Sequence, residues 1–454
     1  MPAKYEYILI VMARRRRKKL PSEPIDVMIH GMGHDGRGVG KTDAGKTVFV
    51  DMALPGEKVT MQYTYTRSQF DEGRAIAVLE AASERVEPEC PHFGICGGCS
   101  MQHLAHKAQI EYKKSTLHEL MAHQAEATDY EKLPTLQAEV WRYRRKARLG
   151  VKYVHKKETV LVGFREKRSS FITEISDCAI LDQRVADLIE PLKAILTTLE
   201  SRSTIPQIEV ACGDEEVALV FRHLEPLPGS DLKALTEFAE QKAFHLYLQS
   251  GGPQTVEKIM PDDGVNRLSY QLPEFDLKMQ FHPMDFTQVN AELNKAMISR
   301  AMTLLAPEAD ETILDLFCGL GNFSLPIARS GAKVVAVEGD QQMVERGYEN
   351  ARLNNLDNVD FYAADLTQDF SEMSWGKEHF DKILIDPPRS GALEIVQKIT
   401  QFNARKIVYV SCNPITLARD SKILLDAGYS LVSAGVMDMF PHTAHVESIA
   451  LFEK

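Results

Sequence analysis

Five short apolar runs in the last third of the chain restrict its fold more than any other feature. They are Thr312-Ile-Leu-Asp-Leu316, Lys333-Val-Val-Ala-Val-Glu338, Val359-Asp-Phe-Tyr-Ala-Ala-Asp365, Phe380-Asp-Lys-Ile-Leu-Ile-Asp386 and Ile407-Val-Tyr-Val-Ser-Cys412. Each is rich in β-branched and aromatic residues and too short for a buried helix, so each reads as a strand buried on both faces. Each runs into a polar or glycine-containing loop, and helix-like sequence follows. Strands alternating with helices predict a parallel, doubly wound α/β sheet, and such sheets bind ligands along the C-terminal edge of their strands.

The residues at that edge are chemically specific. Gly319 and Gly321 follow the first strand and allow a tight turn close to a ligand. Ser324 stands where a dinucleotide fingerprint would have its third glycine, which weakens a nicotinamide reading. Glu338 lies 17 positions after Gly321, a spacing suited to ribose hydroxyls. Asp365 and Asp386 end the next two strands, so the set predicts a nucleoside-like ligand. Any one of these acids could instead cap the next helix. Cys412 closes the fifth strand just before Asn413-Pro414. A thiolate held there could attack an electrophilic carbon, although a lone cysteine also serves as a small buried apolar residue.

Together the motifs Asp315-Leu-Phe-Cys-Gly-Leu-Gly-Asn-Phe323, Asp386-Pro-Pro-Arg389, Ser411-Cys-Asn-Pro414 and His442-Thr-Ala-His-Val-Glu447 resemble the RNA uracil-C5 methyltransferases that use S-adenosylmethionine. Phe286-Thr-Gln-Val-Asn290 and Cys90-Pro-His-Phe-Gly-Ile-Cys96-Gly-Gly-Cys99 extend the resemblance upstream, so that it covers roughly residues 20–454. It implies Cys412 as the nucleophile, Glu447 as the base and Asp386 at the junction of cofactor and base. It also implies Gln288, Phe317, Asn322, Glu338, Asp365 and Asp386 as S-adenosylmethionine contacts. Asp365 replaces an asparagine common in the family; both accept a hydrogen bond from an amino group. The substrate implied is 23S ribosomal RNA, because the family's transfer-RNA enzymes are expected to lack both the N-terminal barrel and the four-cysteine motif.

Upstream, residues 1–20 form a basic tail around Arg14-Arg-Arg-Arg-Lys-Lys19, with Met12 as an alternative start. Residues 21–83 alternate in short strands, around a glycine-rich stretch from Gly31 to Gly45 read as turns. They predict a small all-β barrel resembling a TRAM domain, an OB-like RNA-binding fold. Residues 84–280 form a mixed α/β middle domain and 281–454 the methyltransferase domain. Gln102 to about Gln124 reads as an amphipathic helix, and by the resemblance the segment of about 102–126 packs on the methyltransferase domain. Cys90, Cys96 and Cys99 need a fourth thiol to close a site. Four thiolates could hold zinc or a [4Fe–4S] cluster; the resemblance supplies Cys178 as the fourth ligand and implies the cluster.

The net charge of −11 argues mildly against nucleic acid as a partner, but local clusters set the field at one face. Trp141-Arg-Tyr-Arg-Arg-Lys-Ala-Arg148, followed by Arg165, Lys167 and Arg168, supplies such a cluster, with Arg142, Arg144, Arg145 and Arg148 expected to contact phosphates. No apolar run approaches the length of a membrane span. Seven cysteines in 454 residues suggest a reducing cytoplasm, not a disulfide scaffold. A monomer is expected. Two other classes of function stay open: an amino-methyltransferase, which needs no thiol adduct, and a non-catalytic RNA-binding or RNA-folding protein.

Overall fold

The computed structural model describes residues 20–454, so the basic block Arg14–Lys19 and Met12 lie outside the described residues. The chain divides into two compact units after Arg85. In the first, β1 (Ile25–Met32), β2 (Gly38–Lys41), β3 (Thr47–Asp51), β4 (Lys58–Thr66) and β5 (Phe70–Glu80) close into a barrel in the order β1-β2-β3-β5-β4. Side chains on alternate positions, Val27, Ile29, Val48, Val50, Val59 and Met61, fill its core. Strand β2 falls inside the glycine-rich stretch that the sequence reads as turns. Crowding explains it: a Cβ on Gly40 would lie 2.5 Å from the Met28 carbonyl oxygen and 2.7 Å from Val27 Cγ1. Strand propensities carry no trace of that contact.

The second unit begins with α1 (His106–Gln124) and β6 (Glu131–Lys132). Next come β7 (Lys146–Val154), β8 (Thr159–Gly163), β9 (Gln207–Cys212), β10 (Val217–Arg222), β11 (His245–Gln249) and β12 (Val256–Met260). They form one sheet, β12-β11-β10-β9-β7-β8. The helices α2 (Gln183–Ala186), α3 (Ile189–Thr198) and α4 (Gly229–Lys242) pack on it through Val185, Leu192, Leu196, Leu235 and Phe238. A hairpin, β13 (Leu268–Leu272) and β14 (Leu277–Phe281), leads to the last sheet.

That sheet contains β15 (Thr312–Leu316), β16 (Lys333–Glu338), β17 (Val359–Ala363), β18 (Lys382–Ile385), β19 (Lys406–Ser411), β20 (Ser430–Met437) and β21 (Glu447–Glu453). With β6 its order is β17-β16-β15-β18-β19-β21-β20-β6. The strands from β15 to β19 run parallel, and β21 pairs antiparallel with β19. The chain winds outward from β15 to β17, then returns to β18 on the other side of β15. This reversal opens a crevice at the C-terminal end of β15, where ligands of such sheets bind. Ile313, Val334, Ala336, Leu384 and Val408 face one core layer with α5 (Ala291–Leu305) and α6 (Ser324–Arg329), while α7 (Gln341–Leu353) packs against β16 and β17. Leu314, Val335, Val337, Ile383 and Ile407 face the other, with α8 (Leu393–Ile399) and α9 (Pro414–Asp426).

Helix α1 adds Leu117, Leu120 and Met121 to this second layer, packed against α9 and β20. Its buried residues also include Gln109 and Lys113, so it lacks the clean apolar stripe expected over 102–124. No described helix is long and apolar enough to cross a membrane. Gly40→Ala should destabilise the barrel by about 1–3 kcal/mol through overpacking. Chemical denaturation of the full chain, read by hydrogen exchange within residues 25–80, measures this; unchanged protection would show that the barrel yields at no cost.

Candidate active site

The crevice at the end of β15 widens into a cleft of about 1010 Å³. Gln288, Phe317, Asn322, Glu338, Asp386, Cys412 and Glu447 all line it. Asp365 does not line it: its carboxylate is exposed and accepts from the Thr367 amide at 3.0 Å and hydroxyl at 2.7 Å. Its strand end stays beside the cleft, because the Ala364 amide donates to the Glu338 carbonyl at 2.9 Å.

The half of the cleft beside β15 and β16 is set by backbone geometry. Phe317 takes a φ of 64°, unusual for a residue with a Cβ, and Gly319 and Gly321 take 55° and 95°. A Cβ on Gly319 would meet nothing within 4 Å, so the loop leaves open space for a ligand there. Glu338 accepts from the amides of Gly319 at 3.0 Å and Gly339 at 2.7 Å, which fixes its carboxylate beside the loop. Asn322 accepts from the Tyr270 hydroxyl at 2.8 Å and exchanges amide hydrogen bonds with Asn294. The segment carrying Gln288 is anchored below: Arg346 donates to the buried Asp285 carboxylate at 2.9 Å, and Lys146 donates to the Asp285 carbonyl. The open loop, the paired acid and the flanking polar groups fit a nucleoside with an attached charged chain.

The other half is set by strand register. Ser411 on β19 pairs with Ser448 on β21, so one step further along the antiparallel pair brings Cys412 and Glu447 to neighbouring strand ends. Asp386 follows β18, the next strand. Asn413 accepts from the Ile415 amide at 3.1 Å, starting α9, and its side-chain amide donates to the Arg389 carbonyl at 2.9 Å. This ties the loop of Cys412 to the loop of Asp386.

Burial in this corner favours neutral acids. It pushes Asp386 up to about 7, helped by the Glu338 charge. It pushes Glu447 up to about 8, helped by Asp386 and opposed by Arg389 and Lys113. The Cys412 thiol rises to about 11 through burial and the charges of Glu447 and Asp386, against the pull of Arg389. Three acids crowd one site, so their protons move as a coupled set. Sequence reasoning quoted Arg389 within a motif but gave it no role. It overlooked Lys113 altogether, and no pattern around that residue distinguishes it from a surface lysine.

Lys113 lies beneath the loop that delivers Glu447. Its ammonium donates to Asp438 at 2.6 Å and to the Phe440 carbonyl at 3.0 Å. His106 Nε2 meets the other Asp438 oxygen at 2.8 Å. Gln109 accepts from the His442 amide at 2.9 Å, and Trp141 stacks on the His442 ring at 3.8 Å between centroids. The amides of Ser100 and Met101 both donate to the His442 carbonyl at 2.9 Å. Ser100 Oγ accepts from the Ala444 amide at 3.1 Å.

Cys90, Cys96, Cys99 and Cys178 line one small cavity with Phe93, Phe164 and Gln102. Among the described residues no three or more His, Cys, Asp or Glu side chains stand converged on one point as ligands of a metal ion, so the four thiols share a cavity without closing on a centre. Cys212 and Cys318 are buried elsewhere. The basic stretch is largely engaged within the protein. Arg142 forks onto Asp177 with two bonds of 2.9 Å, Arg145 pairs with Asp214 at 2.5 Å and Arg148 pairs with Glu209. Arg144 donates to the Lys146 carbonyl at 3.0 Å.

The raised Glu447 carboxyl has a stability consequence. Folded Glu447 keeps its proton up to about 8, whereas the unfolded residue releases it near 4.5. Between those values the native state binds more protons, so this group lowers stability as pH rises, and the loss levels off above 8. Glu447→Gln should therefore melt higher than the parent chain, with a gap that widens from pH 5 to pH 8. Melting curves across that range test this; a gap independent of pH would mean Glu447 is ionised throughout.

The match to a family model described as tRNA (Uracil-5-)-methyltransferase covers residues 105–454, and a TRAM domain model matches residues 19–76. Over 440 residues the chain is 52% identical to the 23S rRNA (uracil(1939)-C(5))-methyltransferase RlmD of Alcanivorax borkumensis, covering 97% of this chain and 99% of that protein. It is 53% identical over 444 residues to the protein of the same name from Hahella chejuensis, with the same coverage. The fold matches the Pyrococcus abyssi tRNA (uracil-54, C5)-methyltransferase, solved with S-adenosyl-L-homocysteine, at a TM-score of 0.74 and 23% identity, over 94% of this chain and 99% of that one. The barrel, the doubly wound sheet with its cleft, and near-full-length identity of about half show that this chain belongs to the RNA uracil-C5 methyltransferase family.

Proposed function

We propose that this protein methylates C5 of a uridine in 23S ribosomal RNA, at position 1939, using S-adenosylmethionine and a transient bond to Cys412. The meeting of Cys412, Glu447 and Asp386 at adjacent strand ends on one wall of the cleft carries this reading. The relatives at 52% and 53% identity support the choice of RNA by their names.

C5 of uracil is a weak nucleophile, so the chain must first raise the electron density there. The Cys412 sulfur bonds to C6 as its proton leaves through the open cleft to solvent. The C5–C6 π electrons move onto the ring as an enolate, and C5 becomes nucleophilic. S-adenosylmethionine supplies an electrophilic methyl group, held by Phe317, Asn322, Glu338 and Gln288, with Asp365 at the rim. C5 takes that methyl, and the Glu447 carboxylate then removes the C5 proton. The electrons re-form C5–C6 and expel the Cys412 thiolate. Asp386 accepts a hydrogen bond from uracil N3 and holds the ring edge-on. Both ring faces must be free, so the uridine is unstacked or extruded when it reacts. Such a substrate puts the reaction in the cytoplasm.

The same reading assigns Cys90, Cys96, Cys99 and Cys178 to a [4Fe–4S] cluster. Their shared cavity and the two chain segments it joins fit a four-thiolate group that fixes those segments together. Purified without air, the protein should carry about four irons and absorb visible light; stoichiometric zinc and no colour would identify the other metal.

A transfer-RNA substrate is the second reading, because the Pyrococcus neighbour aligns over 94% of this chain. That coverage leaves too few residues out to omit the barrel, so the barrel alone does not mark a ribosomal substrate. Comparing 5-methyluridine in ribosomal and transfer RNA from cells with and without the gene decides between them.

The two catalytic residues should fail differently. Cys412→Ala should abolish methyl transfer and covalent RNA capture while leaving cofactor binding intact. Glu447→Gln should still attack and transfer methyl, then accumulate bonded to methylated RNA as a slow band on a denaturing gel. RNA containing 5-fluorouridine should trap the parent enzyme in the same way, since fluorine cannot leave as a proton. Normal turnover by Glu447→Gln would assign the base elsewhere, and an adduct with Cys412→Ala would remove the mechanism.

A further inference from the structure

The hairpin from Phe164 to Thr173 has no part in the cleft, yet it exposes an aromatic ring in a basic setting. Phe171 is 72% exposed, which with Phe286 makes it the most exposed large apolar side chain among the described residues. Phe286 lines the cleft; Phe171 lines no cavity described above. The residues from Arg165 to Phe171 include three cations and one acid in a chain of net charge −11. Arg165, just before the turn, and Arg168, within it, are both exposed. Lys167 sits with its ammonium 5.4 Å from the centre of the Phe93 ring. The exposed Ile95 borders the same surface, since its carbonyl accepts from the Lys167 amide at 2.8 Å.

The tip is held in place. The Glu166 amide donates to the Phe171 carbonyl at 3.0 Å, and the Thr173 amide donates to the Phe164 carbonyl at 2.8 Å. The Gly97 amide donates to the Arg165 carbonyl at 2.9 Å, which docks the hairpin on the loop of Cys96. Ser100 and Met101, just beyond Cys99, grip the His442 carbonyl. An unbroken run of backbone contacts thus fixes Phe171 relative to the loop that ends at Glu447.

An exposed ring on a rigid turn loses little entropy when something stacks on it. Surrounding cations select a polyanion over an apolar protein surface, and every nucleobase offers a face. We propose that Phe171 is a stacking platform for an unpaired base of the RNA substrate, with Arg165 and Arg168 receiving the adjoining phosphates. This rests on the proposed function for the identity of the RNA, and adds a contact site outside the cleft.

The test uses the full-length protein and a transcript of the 23S ribosomal RNA segment that contains the target uridine. Phe171→Ala should raise Kd and KM for that RNA about tenfold, leaving kcat and S-adenosylmethionine affinity unchanged. Phe171→Trp should retain affinity and report directly. The chain has two tryptophans, Trp375 buried and Trp141 stacked on His442. The indole introduced by Phe171→Trp should therefore add emission that saturating RNA quenches. Because Phe171 is largely exposed, both variants should melt like the parent. Parent-like Kd in Phe171→Ala, or added emission in Phe171→Trp that stays unquenched at RNA saturation, would overturn the proposal. If the parent chain transfers no methyl while Phe171→Trp is still quenched, the proposed function fails and the stacking site stands.

Discussion

The candidate active site depends on a charge pair buried between two segments far apart in sequence, Lys113 on α1 and Asp438 after β20. Both side chains are almost wholly excluded from solvent. Burial pulls the lysine down, while it pushes Asp438 up; the bonds from His106 and Lys113 outweigh that and hold Asp438 below the usual carboxylate range. Such a pair adds little net stability over a well-packed apolar substitute, but leaving either partner alone costs several kcal/mol. It therefore selects one arrangement instead of merely strengthening it. Helix α1 must lie against β20 and α9, and the chain from Asp438 to Val446 must follow one path into β21. The same ammonium is one of two nearby cations that oppose the rise of the Glu447 carboxyl.

That electrostatic setting suits a proton that must be taken late. A carboxylate at an ordinary acidity would be ionised from the start, and would repel both the developing thiolate and the enolate. On the proposed mechanism, Glu447 held near neutrality beside Asp386 is uncharged while sulfur adds, releases its proton to solvent, and is charged when the C5 proton must leave. Arg389 acts in the opposite sense, lowering both Cys412 and Glu447. The corner is thereby kept close to the balance between its protonation states. Crowding acids into a buried corner costs stability, as binding and catalytic sites commonly do.

The sequence displayed the parallel sheet because its strands are continuous apolar runs, and a run buried on both faces needs no partner to be recognised. It displayed Cys412, Asp386 and the loop of Gly319 because each stands at the end of such a run, where topology brings them to one edge; Glu447, which opens β21, was legible only through the family resemblance of its motif. What escaped was decided by contact. Strand β2 is glycine-rich because the barrel wall is crowded at Gly40. Helix α1 lacks an apolar stripe because Gln109 and Lys113 spend their buried positions on the loop after β20. Arg142, Arg145 and Arg148 read as free charge, but their carboxylate partners lie 35 to 69 residues away. Asp365 sits at the end of the expected strand, yet its carboxylate turns back on Thr367.

The cysteine segment joins these features into one frame. Cys99 is followed directly by Ser100 and Met101, whose amides hold the His442 carbonyl, and Ser100 also receives the Ala444 amide. On the other side Gly97 holds the hairpin of Arg165. Whatever four-thiolate group Cys90, Cys96, Cys99 and Cys178 bind would shorten the freedom of this segment at both ends. Its effect would then reach Glu447 by position instead of by electron transfer, because what it fixes is the middle of the loop that Lys113 and Gln109 hold from below. Two independent clamps, one ionic and one covalent on the proposed reading, converge on the same nine residues from Asp438 to Val446. On the proposed mechanism a carboxylate that must meet one ring proton after the substrate is already bonded to the enzyme has little tolerance for displacement, which gives the double restraint its physical purpose.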